Sequence, residues 1–100
     1  MKIEVLYFNG CPNYLPAVER LRAVLSQEGL SLAVELIEVK DEAMAKELRF
    51  VGSPTIRVNG LDIEPDARGA TAIGFACRLY KGGLPPEEMI RAAHREARKE

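Results

Sequence analysis

A chain of 100 residues with 14 Lys or Arg against 15 Asp or Glu carries a formal net charge of −1. That length supports one hydrophobic core, hence a single domain over residues 1–100, and 47% apolar residues exclude disordered and fibrous classes. The sequence has no basic block and no alternation of aromatics with Lys or Arg, so no nucleic-acid partner is expected. No apolar run approaches the roughly 20 residues of a membrane span, and the N-terminal run carries Lys2 and Glu4 without a cleavage pattern. The expectation is a cytoplasmic protein with no membrane partner, in a compartment that keeps thiols reduced. Two cysteines, Cys11 and Cys77, are too few for a disulfide scaffold or a structural zinc site, so no metal or cofactor is expected on that basis.

Residues 2–8 read as a strand, with Ile3, Val5 and Tyr7 on one side and Glu4, Leu6 and Phe8 on the other. Apolar residues on both faces mark it as central. Asn9-Gly10 ends it, and Tyr14, Val18, Leu21 and Leu25 follow at helical spacing until Gly29. Residues 30–39 form the next strand, with Leu32, Val34, Leu36 and Ile37 inward and Glu35 and Glu38 outward. Asp41 stands where an N-cap belongs, before a short helix that carries Ala43, Met44, Leu48 and Phe50 inward.

Gly52-Ser53-Pro54 breaks that helix, Thr55-Ile56-Arg57-Val58 alternates as a strand, and Asn59-Gly60 is a strong hairpin signal. Two returning strands fit. Residues 61–64 would make a tight hairpin; residues 75–80 would return after a long loop over 65–71. The second is favoured, because Phe75-Ala76-Cys77-Arg78-Leu79-Tyr80 has the better strand residues and ends in Lys81-Gly82-Gly83. Pro85-Pro86-Glu87-Glu88 starts a last helix to about residue 98, with Met89, Ile90, Ala93 and Ala97 on one face and His94 expected at the surface. The order β-α-β-α-β-β-α describes an α/β three-layer sandwich around a mixed four-stranded sheet, with a parallel first pair and an antiparallel last pair.

With that order, the chain resembles the thioredoxin-like superfamily in its small, glutaredoxin-sized form. Gly10-Cys11-Pro12-Asn13-Tyr14 lies where that family keeps its redox motif, and Ser53-Pro54-Thr55 lies where it keeps a cis-proline facing the active-site cysteine. The resemblance implies a cis Ser53–Pro54 bond and a substrate strand that pairs beside it, so that Ser53 and Thr55 face substrate. The Gly-Cys-Pro-Asn start with Ala76-Cys77-Arg78-Leu79-Tyr80 further resembles a group of small bacterial thioredoxin-family proteins, some labelled with a link to alkylmercury lyase. The dithiol motif places a second cysteine three residues after the first, and here that position is Tyr14. The pattern is therefore nearer a monothiol glutaredoxin.

Cys11 is the candidate nucleophile, against the alternative of a small buried hydrophobe. Two helix starts fit. With Cys11 as N-cap, Pro12 is a good first residue, Pro16 bends the helix, and the free N–H groups of the helix end favour thiolate at the sulfur. With Asn13 as cap, Pro16 falls in the first turn without cost and Cys11 stands a step back. Pro12, Tyr14, Ser53, Pro54, Thr55 and Arg78 are the candidate substrate-binding residues. Arg78 is placed to stabilise a thiolate or hold an anionic group, or is a solvated edge residue. Cys77 is a candidate resolving thiol, although two strand spacings of roughly 10 Å exceed the roughly 7 Å Cα separation a disulfide allows.

The expected function is thiol–disulfide exchange through one cysteine, with a protein or low-molecular-weight thiol or disulfide as partner and no cofactor. The alternatives are a redox-inactive binding module with the same fold, and a protein that handles thiophilic ions such as Hg(II) or Cu(I) through Cys11.

Overall fold

The computed structural model describes residues 1–69, 78, 80 and 83–98. Strand β1 (Ile3–Tyr7) is central, as its two apolar faces require. It pairs in parallel with β2 (Val34–Glu38) and antiparallel with β3 (Thr55–Val58), so that Val5 stands opposite both Leu36 and Ile56. Strand β4 (Leu61–Asp62) completes a mixed four-stranded sheet in the order β2-β1-β3-β4. Ile3 and Val5 of β1 and Ile56 and Val58 of β3 pack with Val18, Leu21 and Leu25 of helix α1 (Tyr14–Gln27) and with Ile90 and Ala93 of helix α3 (Glu87–Arg98). On the opposite face Leu6 packs with Val39, Ala45 and Phe50, under helix α2 (Glu42–Leu48). The result is a small α/β domain with helices on both faces of the sheet.

Asp41 caps α2 as expected, its carboxylate accepting from the Met44 amide at 2.8 Å. The helix ends with Arg49 in the left-handed region (φ 54°), where the Phe50 amide reaches back to the Ala45 carbonyl at 2.8 Å. That is a Schellman closure, and its apolar anchor is Phe50, fully buried.

Four expectations need correction. The strand that returns from β3 is Leu61–Asp62, not residues 75–80. Asn59 and Gly60 have φ of 52° and 82°, and two successive positive values make the tight turn that matches strand twist. Asn59 is further pinned by its Oδ1 accepting from the Lys2 amide at 2.8 Å. His94 is not at the surface; it is 1% exposed, because positions 90, 93, 94 and 97 form one helical stripe and the stripe faces the sheet. Leu36 is 40% exposed, since β2 is an edge strand and the helices of that face cover β1 and β3. Ala45, not Ala43, is the buried alanine of α2. Cys77 and most of the run 75–80 lie outside the described residues.

Candidate functional site at Cys11 and Ser53

Cys11 is delivered by a turn at the end of β1. The Cys11 amide donates to the Phe8 carbonyl at 3.2 Å, and Gly10 holds φ 91°, which a side chain would strain. Helix α1 then starts at Tyr14 with Asn13 as its cap, so Cys11 precedes the cap and Pro16 sits in the first turn where its missing N–H costs little. Of the two starts compatible with the sequence, this is the one that sets the sulfur back from the helix end. The thiol is 7% exposed and donates to the Ser53 carbonyl, with Sγ and O 3.6 Å apart. A carbonyl only accepts, so this bond belongs to the protonated thiol.

The Ser53–Pro54 bond is cis. Ser53 and Thr55 are fully buried and Pro54 is buried with them, so the side chains expected to face substrate are covered. Every carbonyl from Gly52 to Pro54 has an internal donor. Thr55 Oγ1 donates to Gly52 O at 2.6 Å, the Arg78 amide to Ser53 O at 2.9 Å, and the Tyr80 hydroxyl to Pro54 O at 2.9 Å. The Ser53 hydroxyl accepts from the Phe8 amide at 3.3 Å, which ties this turn to the end of β1.

Arg78 is neither a solvated edge residue nor a free cation. Its guanidinium forks onto Asp62 at 2.7 and 2.9 Å, reaches Glu64 at 2.9 Å and Thr55 Oγ1 at 3.3 Å, and lies 4.4 Å from the centre of the Tyr80 ring. Burial opposes its charge, but the bond to Asp62, the electrostatic attraction to the Tyr80 phenol oxygen and the bond to Glu64 more than offset that and raise its pKa. Burial also raises the Tyr80 phenol, and the nearby Arg78 charge only partly reverses the shift.

Tyr14, in the position of the missing second cysteine, stacks flat on Tyr7 with ring centroids 3.8 Å apart and planes within 2°. The adjoining Tyr14 phenol is the main reason the Tyr7 phenol is raised, with burial second. Pro12, next to Cys11, and Leu15 in the first turn of α1 are exposed, Leu15 at 60%. Sequence reasoning missed Tyr7, Asp62 and Glu64. The signal for the carboxylates was the alternation Leu61-Asp62-Ile63-Glu64, which becomes legible once the short hairpin is chosen. Among the described residues Cys11 is the one free cysteine, and no group of three His, Cys, Asp or Glu able to hold a metal occurs there.

Residues 13–94 match the model of a family described as a domain of unknown function, DUF2703. The chain belongs to that family. The DUF2703 match starts at Asn13, so Cys11 and Pro12 precede it, while Ser53, Pro54, Asp62 and Arg78 lie within it. No curated protein and no solved structure matches the chain. No helix among the described residues is long and apolar enough to cross a membrane.

Proposed function

We propose that this DUF2703 protein is a thioredoxin-like thiol–disulfide exchange protein that acts through Cys11 alone. The observation that carries the reading is the Cys11 thiol held against the Ser53 carbonyl, beside the cis Ser53–Pro54 bond. In the first step Cys11 gives up its proton to solvent base and its sulfur attacks a disulfide R–S–S–R′. A mixed disulfide Cys11–S–S–R forms and R′S⁻ leaves. In the second step an external thiol attacks the mixed disulfide, releasing Cys11 and carrying R away as a new disulfide. No cofactor enters. The disulfide-bearing partner is a protein or a small thiol compound, met in a reducing compartment such as the cytoplasm. The exposed Pro12 and Leu15 give it apolar surface to meet near the start of α1.

A second reading is a redox-inactive binding module, favoured by the 7% exposure of Cys11. One experiment separates them. The Cys77→Ser variant is incubated with glutathione disulfide at pH 8 and followed by intact-mass spectrometry. A single glutathione adduct at Cys11, removed by added glutathione, is the expected result. Absence of any adduct, with the thiol still titratable after unfolding, overturns the exchange reading and leaves the binding module.

A further inference from the structure

Away from Cys11, a cavity of about 160 Å³ opens where the end of α2 meets the β3–β4 hairpin. Helix α2 covers Leu6 of β1 on this face of the sheet, and the cavity beside it is lined by the paired hairpin residues Arg57 and Asp62. Three arginines line it, Arg49, Arg57 and Arg68, against one carboxylate, Asp62. Their charges are not equally free. Arg68 forks onto Glu96 at 3.2 and 2.7 Å, and Asp62 is taken by both guanidinium arms of Arg78. Arg49 and Arg57 have no carboxylate partner among the described residues.

Arg57 is also held in place. One terminal nitrogen donates to the Leu48 and Arg49 carbonyls, at 2.7 and 3.0 Å, which are orphan acceptors at the end of α2. These bonds quench the partial negative charge of the helix end, which would otherwise repel an anion. Both forks of the guanidinium include the nitrogen spent on these carbonyls, so Arg57 offers an oriented positive charge whose Nε and other terminal nitrogen act as single donors. Arg49, exposed and adjacent, adds a second positive charge.

We propose that this cavity binds a small dianionic oxyanion, inorganic phosphate or a phosphate monoester, between Arg57 and Arg49. Two cations outside every ion pair among the described residues match a dianion better than a carboxylate, and Glu4, opposite Arg57 across β1 and β3, is itself paired with Lys2 at 3.6 Å. The volume fits a head group and falls well below the roughly 300 Å³ at which drug-sized sites begin. Leu48 and Val51 line the same cavity and give an ester's apolar substituent something to lie against.

The test is a titration of the full chain with inorganic phosphate, methyl phosphate and acetate, followed by amide resonances in NMR. Saturable shifts at Arg49, Leu61 and Ala67 are expected, with both phosphates binding more tightly than acetate and more tightly at pH 7.5 than at pH 5.5, where the second phosphate proton returns. Methyl phosphate at or above the affinity of inorganic phosphate points to an ester as ligand, and the reverse order to the free ion. Arg57→Met should weaken phosphate by roughly tenfold, the scale of a charged hydrogen bond. Arg49→Gln, on an exposed side chain outside every hydrogen bond described, tests the same site without risk to the fold and should weaken it several-fold. Shifts that do not saturate, that spread over all arginines, or that survive Arg49→Gln and Arg57→Met unchanged overturn the proposal. Cys11→Ser should bind phosphate as the wild type does.

Discussion

The Cys11 thiol and the Arg78 amide share one acceptor, the Ser53 carbonyl, at 3.6 and 2.9 Å. The candidate nucleophile is therefore coupled to a residue whose guanidinium is anchored on the far side by Asp62, Glu64 and Thr55. Through that bond, the buried ion pair fixes the position of the turn that the sulfur leans on.

Breaking the pair should be costly, because a buried carboxylate left without its cation is penalised more than the pair was worth. Arg78→Met is expected to lower unfolding free energy by about 3–5 kcal/mol in urea denaturation. The double variant Arg78→Met/Asp62→Leu, which removes both charges, should recover much of that loss. The same single variant should speed alkylation of Cys11, measured on a Cys77→Ser background, since the Ser53 carbonyl loses its firm support. A loss below about 1 kcal/mol, the scale of an exposed ion pair, would show that the network does not brace the turn.

Tyr80 makes stability fall at high pH. Its phenol is buried, so its folded-state pKa lies above the ordinary value of 10.0. Above pH 10 the unfolded chain releases this proton while the folded chain keeps it. The unfolded state then binds fewer protons and stability drops as pH rises, by up to about 1.4 kcal/mol per pH unit for one group. Below pH 10 the contribution is fully present. Tyr80→Phe should flatten that alkaline slope while losing roughly 1 kcal/mol at neutral pH for the bond to the Pro54 carbonyl. Urea midpoints at pH 7, 10 and 11 measure both effects.

Much of this arrangement was legible in the residues. The two-faced apolar run 3–7, the Asp41 cap and the Asn59-Gly60 turn each act through local physics, and each formed as read. The preference for 75–80 as the returning strand failed because it weighed β-propensity over turn geometry. Two positive φ values in succession commit the chain to return at once, and Leu61–Asp62 suffices to pair. The start of α1 was undecidable because Pro12 and Pro16 are each good first-turn residues under a different cap. The network at Arg78 was hidden for another reason. Asp62 and Arg78 are far apart in sequence, and no periodicity signals a buried ion pair.

His94 is a polar residue on an apolar stripe. Both ring nitrogens are buried with no hydrogen-bond partner among the described residues. An unsatisfied buried polar group costs about 1–3 kcal/mol. His94→Leu, close in volume, should therefore raise unfolding free energy by about 1 kcal/mol or more, with a higher thermal midpoint. His94→Gln keeps polar atoms in the same place and should gain nothing. A loss of stability in the leucine variant would reveal a partner for the ring.

Arg49 joins the stability of the fold to the proposed anion cavity. It closes α2 at φ 54°, a left-handed conformation that an L side chain enters at a cost of roughly 1–2 kcal/mol and glycine enters freely. Glycine also loses more backbone entropy on folding, about 0.5–1 kcal/mol, so the net gain of Arg49→Gly is expected near 0.5–1 kcal/mol. The Arg49 carbonyl, which accepts from Arg57, is backbone and survives the change. The variant should thus unfold at higher urea while it binds inorganic phosphate several-fold more weakly than wild type. Opposite signs in the two assays would place the arginine there for its charge, at the expense of the helix end. A variant that is more stable and binds phosphate as before would confirm the strain and remove Arg49 from the site.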